Sequence, residues 1–455
     1  MVETVFNQSL WGDEGFSAIL SMKSIPEILK IISRDTSPPL WNIIEHYAFR
    51  FFGTQEQVIR SLSFIFFFLS VFFIYKIGSL LFSKKTGLLS AILLFLNPFF
   101  FTYAFEGRMY SILAFGVASS MYYFLKLFIG EGGKWTKTLY VFFTLWALYT
   151  HHFSIFALIF QGLWFSYEYI FGKRQTAKKV FKLFLLIAIG YLPWIIPLYK
   201  QIKMVGGGFW LGRPDIKDLA VLIFDYLADG IKNNSLVIPL LNIPIYQIAL
   251  IFSLTTLILR NWLETGKKTI FILLWFLFPI LATWLVSQKF QSIFFNRYLL
   301  YTIPPAMLLL SSARRGTASL ITIVITIFLF SIIDYQYFTH PAKLPFRIYS
   351  DYVKQNLKPG DYLINWNSAS HHLWETKYYG IPAPIYIPES GGELPFFVGT
   401  ALMEEKDIAR KIPENIKRVG AITSGPIDEI NIPGYTESES KEFSGLKIVW
   451  YEKSE

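Results

Sequence analysis

The 455-residue chain contains no cysteine, which excludes disulfides and thiolate metal sites and leaves the redox compartment unmarked. It has no glycine-rich phosphate loop of the P-loop type and no other ATP-binding motif. No basic stripe interleaved with aromatics is present, so nucleic acid is not an expected partner. Charge is missing from the middle of every expected span: Lys76, Lys126, Glu168 and Lys182 all fall toward span ends. Ion-coupled carriers usually keep ionisable groups at the midplane, so a proton- or sodium-coupled transporter is disfavoured. There is also no internal repeat or low-complexity tract, and no signal peptide opens the sequence.

What the chain has in abundance is apolar surface. It is 53% hydrophobic and 18% aromatic, with mean hydropathy +0.42. That composition fits a polytopic membrane protein with a soluble appendage. A span needs roughly 20 apolar residues. Candidates lie near 60–82, 86–104, 109–129, 136–150, 152–171, 180–199, 245–261, 269–287, 297–312 and 317–335. The stretch 219–230 is too short to cross and reads as an interfacial or re-entrant helix, and Trp41–Phe52 has an amphipathic pattern suited to an interface.

The net charge of +10 is uneven: 13 Lys+Arg against 16 Asp+Glu from His340 onward, and 29 against 16 before it. Positive residues concentrate in alternate loops: Lys84-Lys85; Lys134 and Lys137; Lys173-Arg174 with Lys178-Lys179; Arg260 with Lys267-Lys268; and Arg314-Arg315. The positive-inside rule makes that side cytoplasmic. Residues 1–57, the loop at 104–108, His151-His152, the loops 200–244 and 288–296, and everything after about 336 are then extracytoplasmic. Nothing in the sequence would carry residues 1–57 across, so a further span ahead of Met1 is expected. After His340 the pattern predicts a small α/β domain, with helices at 349–357 and 407–416 and strands at 361–366, 384–388 and 446–451. The expected architecture is an all-α polytopic membrane domain of about ten visible spans over residues 1–335, followed by an extracytoplasmic α/β domain over 336–455.

Chemistry-bearing residues cluster on the outer side. Asp13 and Glu14 sit between Trp11 and Phe16, flanked by Gly12 and Gly15, and Asp35 lies further on, ahead of Ser37-Pro38-Pro39. Such carboxylates either act as a general base toward a hydroxyl or hold a divalent cation such as Mg or Mn; exposed acids that merely solvate a loop are the bland reading. Glu106-Gly107-Arg108-Met109-Tyr110 places a charged pair at the outer end of a span, where charge is costly unless it is partnered. Arg213, Lys289 and Arg297, with Lys203 the weakest of the set, are outer cations suited to an anionic phosphate or to snorkelling toward headgroups. Gly206-Gly207-Gly208-Phe209-Trp210 reads either as a flexible aromatic gate or as an ordinary loop. Adjacent His151 and His152 make a poor metal pair and suit an interfacial role.

Taken together, six stretches resemble the bacterial and archaeal relatives of the dolichyl-phosphate-mannose protein mannosyltransferases, polytopic glycosyltransferases of the GT-C class, family 39-like. They are Ser9-Leu-Trp-Gly-Asp-Glu-Gly-Phe-Ser17, Asp35-Thr-Ser-Pro-Pro-Leu-Trp41, Phe105-Glu-Gly-Arg-Met-Tyr-Ser111, Leu148-Tyr-Thr-His-His-Phe153, Leu192-Pro-Trp194 and Asn296-Arg-Tyr-Leu-Leu300. The chain departs from the family pattern at Ser37 (usually His), Gly107 (usually Ala) and His152 (usually Tyr). The resemblance covers roughly 1–335 and implies a sugar donor on a polyprenyl monophosphate, undecaprenyl or dolichyl. Transfer would go to a protein, lipid or glycan acceptor on the extracytoplasmic face of the plasma (inner) membrane, usually with inversion. It implies Asp13 as the base, Glu14 and Asp35 as orienting, tuning or cation-holding groups, and Arg108, Arg297, Lys289 and Arg213 as binders of the donor phosphate. Glu106, Tyr110, His151, Trp210 and Tyr298 would complete the substrate site, with membrane lipids around it. A glycolipid transporter or flippase would share spans, arginines and gate but would cleave no bond.

Overall fold

The computed structural model describes residues 3–130, 132–228, 237–238, 243–244, 266–312, 316–367, 371–389 and 391–454. These residues form two compact units. The first comprises Met1–Asp35, Asn42–Ile59 and His340–Glu455; the second comprises Thr36–Trp41 and Arg60–Thr339. Residues 1–35 and 42–59, expected with the membrane domain, are thus grouped with the carboxy-terminal segment.

The second unit is helical. Among the described residues six helices are long and apolar enough to cross a membrane: Glu56–Leu81 (α4), Tyr110–Ile129 (α7), Ser154–Phe171 (α9), the continuous stretch Arg174–Gly206, Lys267–Lys289 and Ser319–Thr339. Lys84–Phe95 (α5) and Pro98–Phe105 make a seventh if counted as one span bent by 58°. The bend has a local cause. Asn97 caps the next turn through Oδ1, which accepts from the Phe100 N–H at 2.9 Å. Its Nδ2 donates to the Tyr226 carbonyl at 2.8 Å, and Pro98 supplies no donor to continue the ladder. The chain is therefore a multi-pass membrane protein.

Two expected spans differ. The helix Lys134–Thr150 (α8) has 17 residues, short of a clear crossing. The 297–312 stretch is a 3₁₀ segment, Asn296–Thr302, joined to a short helix, Ile303–Ser311, that starts over Pro304-Pro305. The expected span 245–261, Arg260 and the Arg314-Arg315 loop lie outside the described residues. α7 is the most enclosed of the spans. A buried polar chain ties it to its neighbours: Tyr140 donates to Gln161 Oε1 at 2.8 Å, Gln161 Nε2 donates to Ser120 Oγ at 3.1 Å, and Ser120 meets Thr144 at 2.8 Å. Polar side chains of this kind join helices where lipid gives no hydrophobic drive between them.

The first unit carries the sheet, with strand order β5-β4-β3-β6-β8-β7. Its strands are β3 (Tyr362–Trp366), β4 (Ile385–Tyr386), β5 (Ile408–Ala409), β6 (Arg418–Thr423), β7 (Tyr435–Phe443) and β8 (Leu446–Lys453). β3, β4, β5 and β6 run parallel, while β8 and β7 are antiparallel to their neighbours. A short antiparallel pair, β1 (Val237–Ile238) and β2 (Ile243–Pro244), lies apart from this sheet in sequence. Apolar side chains from both sheet faces make two cores, one around Phe346, Tyr349 and Trp450, the other around Ile364, Val419 and Val449.

The predicted helix at 349–357 is present as Phe346–Asn356, but 407–416 is not a helix. Asp407 ends a 3₁₀ turn, Ile408-Ala409 pairs with β4, and Pro413 stops a helix from forming over the remaining residues. β7 escapes sequence reading because its inner residues are exposed and charged, as edge strands often are.

Candidate functional site

The candidate residues fall into two sets, one in each unit. In the first unit, Asp13 and Glu14 open helix α1 (Gly12–Ser21), where the unpaired N–H groups favour negative charge. Asp13 is part-exposed; Glu14 is fully buried. Glu14 Oε2 accepts from the Trp11 N–H at 3.3 Å and pairs with Lys343 Nζ at 2.8 Å. Lys343 also stands 6.0 Å over the Trp11 ring. Glu14, expected to orient the acceptor, tune Asp13 or hold a cation, is thus buried and paired with Lys343. Asp35 is buried just beyond helix α2 (Ile25–Ile32).

Sequence reasoning missed the residues that hold this loop. The Arg347 guanidinium donates to the Asn7 carbonyl and pairs with Glu56, each at 2.8 Å, and its backbone N–H donates to Ser9 Oγ at 3.0 Å. Tyr379 accepts from the Leu10 N–H at 2.9 Å and donates to Glu56 Oε1 at 2.8 Å; burial raises its phenol well above the usual value. α1 rests on the short helix Leu373–Tyr378 so closely that a Cβ on Gly15 would lie 2.9 Å from the Trp374 carbonyl carbon. Phe16 meets the Trp374 ring edge-on at 5.2 Å. No motif signals these contacts, because the partners lie at opposite ends of the chain.

Among the described residues no group of three or more His, Asp or Glu side chains is arranged to hold a metal ion. Asp13, Glu14 and Asp35 are not brought into such a group, and Glu14 is paired with Lys343.

In the second unit, Arg297 opens the 3₁₀ segment Asn296–Thr302. Its guanidinium lies 5.0 Å from the Phe295 ring, 5.7 Å from Tyr110 and 6.0 Å from Tyr298. His151 packs 5.2 Å from Tyr298 and 6.3 Å from Tyr110. Burial holds the His151 imidazole well below its usual pKa, and His152, Arg108 and Arg297 push in the same direction. Tyr110, His151, Arg297 and Tyr298 therefore share one aromatic site, and Arg108 is near enough to act electrostatically on His151.

The segment is anchored by Tyr301, which donates to the Phe153 carbonyl at 2.9 Å, and by Tyr226, which donates to the Asn296 carbonyl. Glu106 is buried; its carbonyl accepts from Ser63 at 2.5 Å and from the Arg108 N–H at 2.8 Å. Trp210 meets Phe295 edge-on at 4.9 Å, extending the aromatic row. The adjoining glycine loop is tethered, because Gln291 donates to the Phe209 and Leu211 carbonyls. Arg213 is exposed and donates to Gln288, and Lys289 is exposed beside it.

The departure at His152 also has a structural setting. Its Nε2 lies 2.8 Å from Gln201 Oε1, and Gln201 Nε2 donates to the Ser37 carbonyl at 3.2 Å. Burial lowers the His152 pKa to about 4, so at neutral pH the ring is an uncharged donor to Gln201.

Residues 36–198 match the family model described as dolichyl-phosphate-mannose-protein mannosyltransferase. No curated protein matches the chain by sequence. The fold is similar to that of ArnT from Cupriavidus metallidurans in the apo state, with TM-score 0.66, 10% identity, and coverage of 98% of this chain and 94% of that one. The same protein bound to undecaprenyl phosphate gives TM-score 0.58 at 12% identity, covering 98% and 96%. The oligosaccharyltransferase of Archaeoglobus fulgidus in the apo form gives TM-score 0.53 at 13% identity, covering 91% of this chain and 66% of that one. In residues 36–198 the chain resembles the dolichyl-phosphate-mannose-protein mannosyltransferases, and in fold it resembles the membrane glycosyltransferases of the GT-C class.

Proposed function

We propose that the chain transfers a sugar from a polyprenyl-phosphate donor to an acceptor hydroxyl on the extracytoplasmic face of the inner membrane. The observation that carries this reading is the Arg297 site, where two guanidinium groups, a neutral imidazole and a row of aromatic rings share one environment. A departing lipid phosphate needs fixed positive charge where its own charge develops, and arginine meets phosphate oxygens bidentately. The aromatic row suits a sugar face or an isoprenoid chain. The structure of ArnT with undecaprenyl phosphate shows a ligand of this class on the same fold.

In the proposed reaction Asp13 accepts the proton of the acceptor hydroxyl. The acceptor oxygen bonds to the anomeric carbon as the bond from that carbon to the phosphate oxygen breaks. The electron pair leaves with the phosphate, whose charge Arg297 and Arg108 offset, with Lys289 and Arg213 on the approach. Asp35, Glu106, Tyr110, His151, Trp210 and Tyr298 orient the substrates. A single displacement of this kind inverts the anomeric centre. The sugar and the acceptor are to be read from products.

The test uses purified enzyme and a panel of polyprenyl-phosphate sugars, with release of free polyprenyl phosphate as the readout. Asp13→Asn is expected to lower turnover by about 10²–10⁴-fold, the usual worth of a positioned base, while Arg297→Ala raises the donor concentration needed. Near-normal turnover of Asp13→Asn removes Asp13 from its role. Movement of donor across the bilayer with no phosphate released replaces transfer by translocation.

A further inference from the structure

The first unit contains a second constellation that sugar transfer does not use. Ser424 Oγ lies 2.9 Å from His372 Nε2, and His372 Nδ1 lies 3.3 Å from Glu375 Oε1. The three stand at a marked place in the sheet. β3 has β4 on one side and β6 on the other, all parallel; the chain leaves β3 through the helix Leu373–Tyr378 to β4 and β5, then crosses back to β6. The strand order therefore reverses between β3 and β6. In open α/β sheets, ligands bind outside the carboxyl ends of the strands at such a reversal. Ser424 is the residue directly after the carboxyl end of β6, and His372 immediately precedes the helix that follows β3.

Exposure is graded along the three residues: Ser424 is half-buried, whereas His372 and Glu375 are each 4% exposed. A carboxylate on Nδ1 fixes the proton there and leaves Nε2 to accept from the serine hydroxyl. Glu375 Oε2 is buried with no hydrogen-bond partner among the described residues, while Oε1 meets the imidazole. The turn presenting Ser424 is pinned on both sides: the Gly425 N–H donates to Thr423 Oγ1 at 2.9 Å, and Lys447 Nζ donates to the Gly425 carbonyl at 3.0 Å.

We propose that Ser424, His372 and Glu375 form a second reactive site, a serine nucleophile with its general base and orienting acid, acting on carboxylic esters. Nucleophile, base and third group are recognised by geometry and role in whatever chain order they occur. In the first step Ser424 Oγ bonds to the ester carbonyl carbon, its proton passes to His372 Nε2, and the alcohol departs with that proton. In the second, water adds to the acyl carbon, His372 takes its proton and returns it to Ser424, and the carboxylic acid leaves.

The test treats the full chain in detergent with a fluorophosphonate probe, in which serine displaces fluoride at phosphorus, and maps the adduct by mass spectrometry. The expected result is a single adduct on Ser424, absent in Ser424→Ala and formed about 10²–10⁴-fold more slowly in His372→Asn. Glu375→Gln should also slow labelling relative to wild type while unfolding near the wild-type temperature. No adduct while a control serine hydrolase in the same tube is labelled overturns the proposal. So does an adduct whose rate is indifferent to His372→Asn, since a serine that merely ties the turn to the helix needs no base.

Discussion

A carboxylate withdrawn from water is costly unless a partner replaces the lost solvation, and Glu14 meets that cost through Lys343. Removing one member of a buried pair is far worse than replacing both. Lys343→Met is therefore expected to destabilise the first unit by about 3–5 kcal/mol, with Glu14→Gln added to it recovering most of the loss; thermal unfolding of both variants checks this. An unchanged midpoint in the single variant shows that water reaches the pair. The residue scale also marks how far sequence carries. Asp13-Glu14 stands out because acids flanked by glycine and aromatics beside apolar runs are unusual. Nothing in the sequence distinguishes Glu14 from Asp13, since their difference lies in a lysine supplied from residue 343.

Between elements, the chain of His152, Gln201 and Ser37 joins the turn before α9, the helix Ile195–Gly206 and the proline-stiffened segment that leads into helix α3 (Leu40–Phe52). His152 is uncharged in the folded protein, with its pKa lowered to about 4, whereas an unfolded histidine titrates near 6.5. The unfolded chain therefore binds the extra proton first as pH falls. Stability is full above pH 6.5 and is lost between 6.5 and 4, at about 1.4 kcal/mol per pH unit for one group. Unfolding temperatures measured from pH 7 to 5 should fall, and His152→Gln, which keeps a donor but cannot titrate, should flatten the decline. An identical slope in the variant assigns the effect elsewhere. Most long apolar elements are legible because their period and length are set by the bilayer. The breaks are less so: the bend at Asn97-Pro98 and the 3₁₀ entry at Asn296 depend on capping and tertiary hydrogen bonds that a hydropathy window averages away.

For the whole molecule, the grouping of residues 1–35 and 42–59 with 340–455 gives the carboxy-terminal segment a role in shaping the acidic loop. Arg347, Lys343 and Tyr379 together fix residues 7–14. A chain ending at residue 339 should insert into membranes yet lose transfer activity and show rapid proteolysis near Asp13. Retained activity would mean that the loop folds without these partners. The sheet is partly legible, since β3 and β8 carry strong apolar strands, but its union with the amino terminus is not, because such long-range contacts leave no periodic trace.

The hydrogen bond from Leu10 to Tyr379 joins positions 369 residues apart. At about 5–20 residues per second, the ribosome needs roughly 20–70 s to deliver the second partner after the first has emerged. During that interval the segment bearing Asp13 lacks its contacts with Lys343, Arg347 and Tyr379. The acidic loop therefore reaches its final setting late in biogenesis, after the closing strands are made, and the sugar transfer proposed for the chain would have to wait for it.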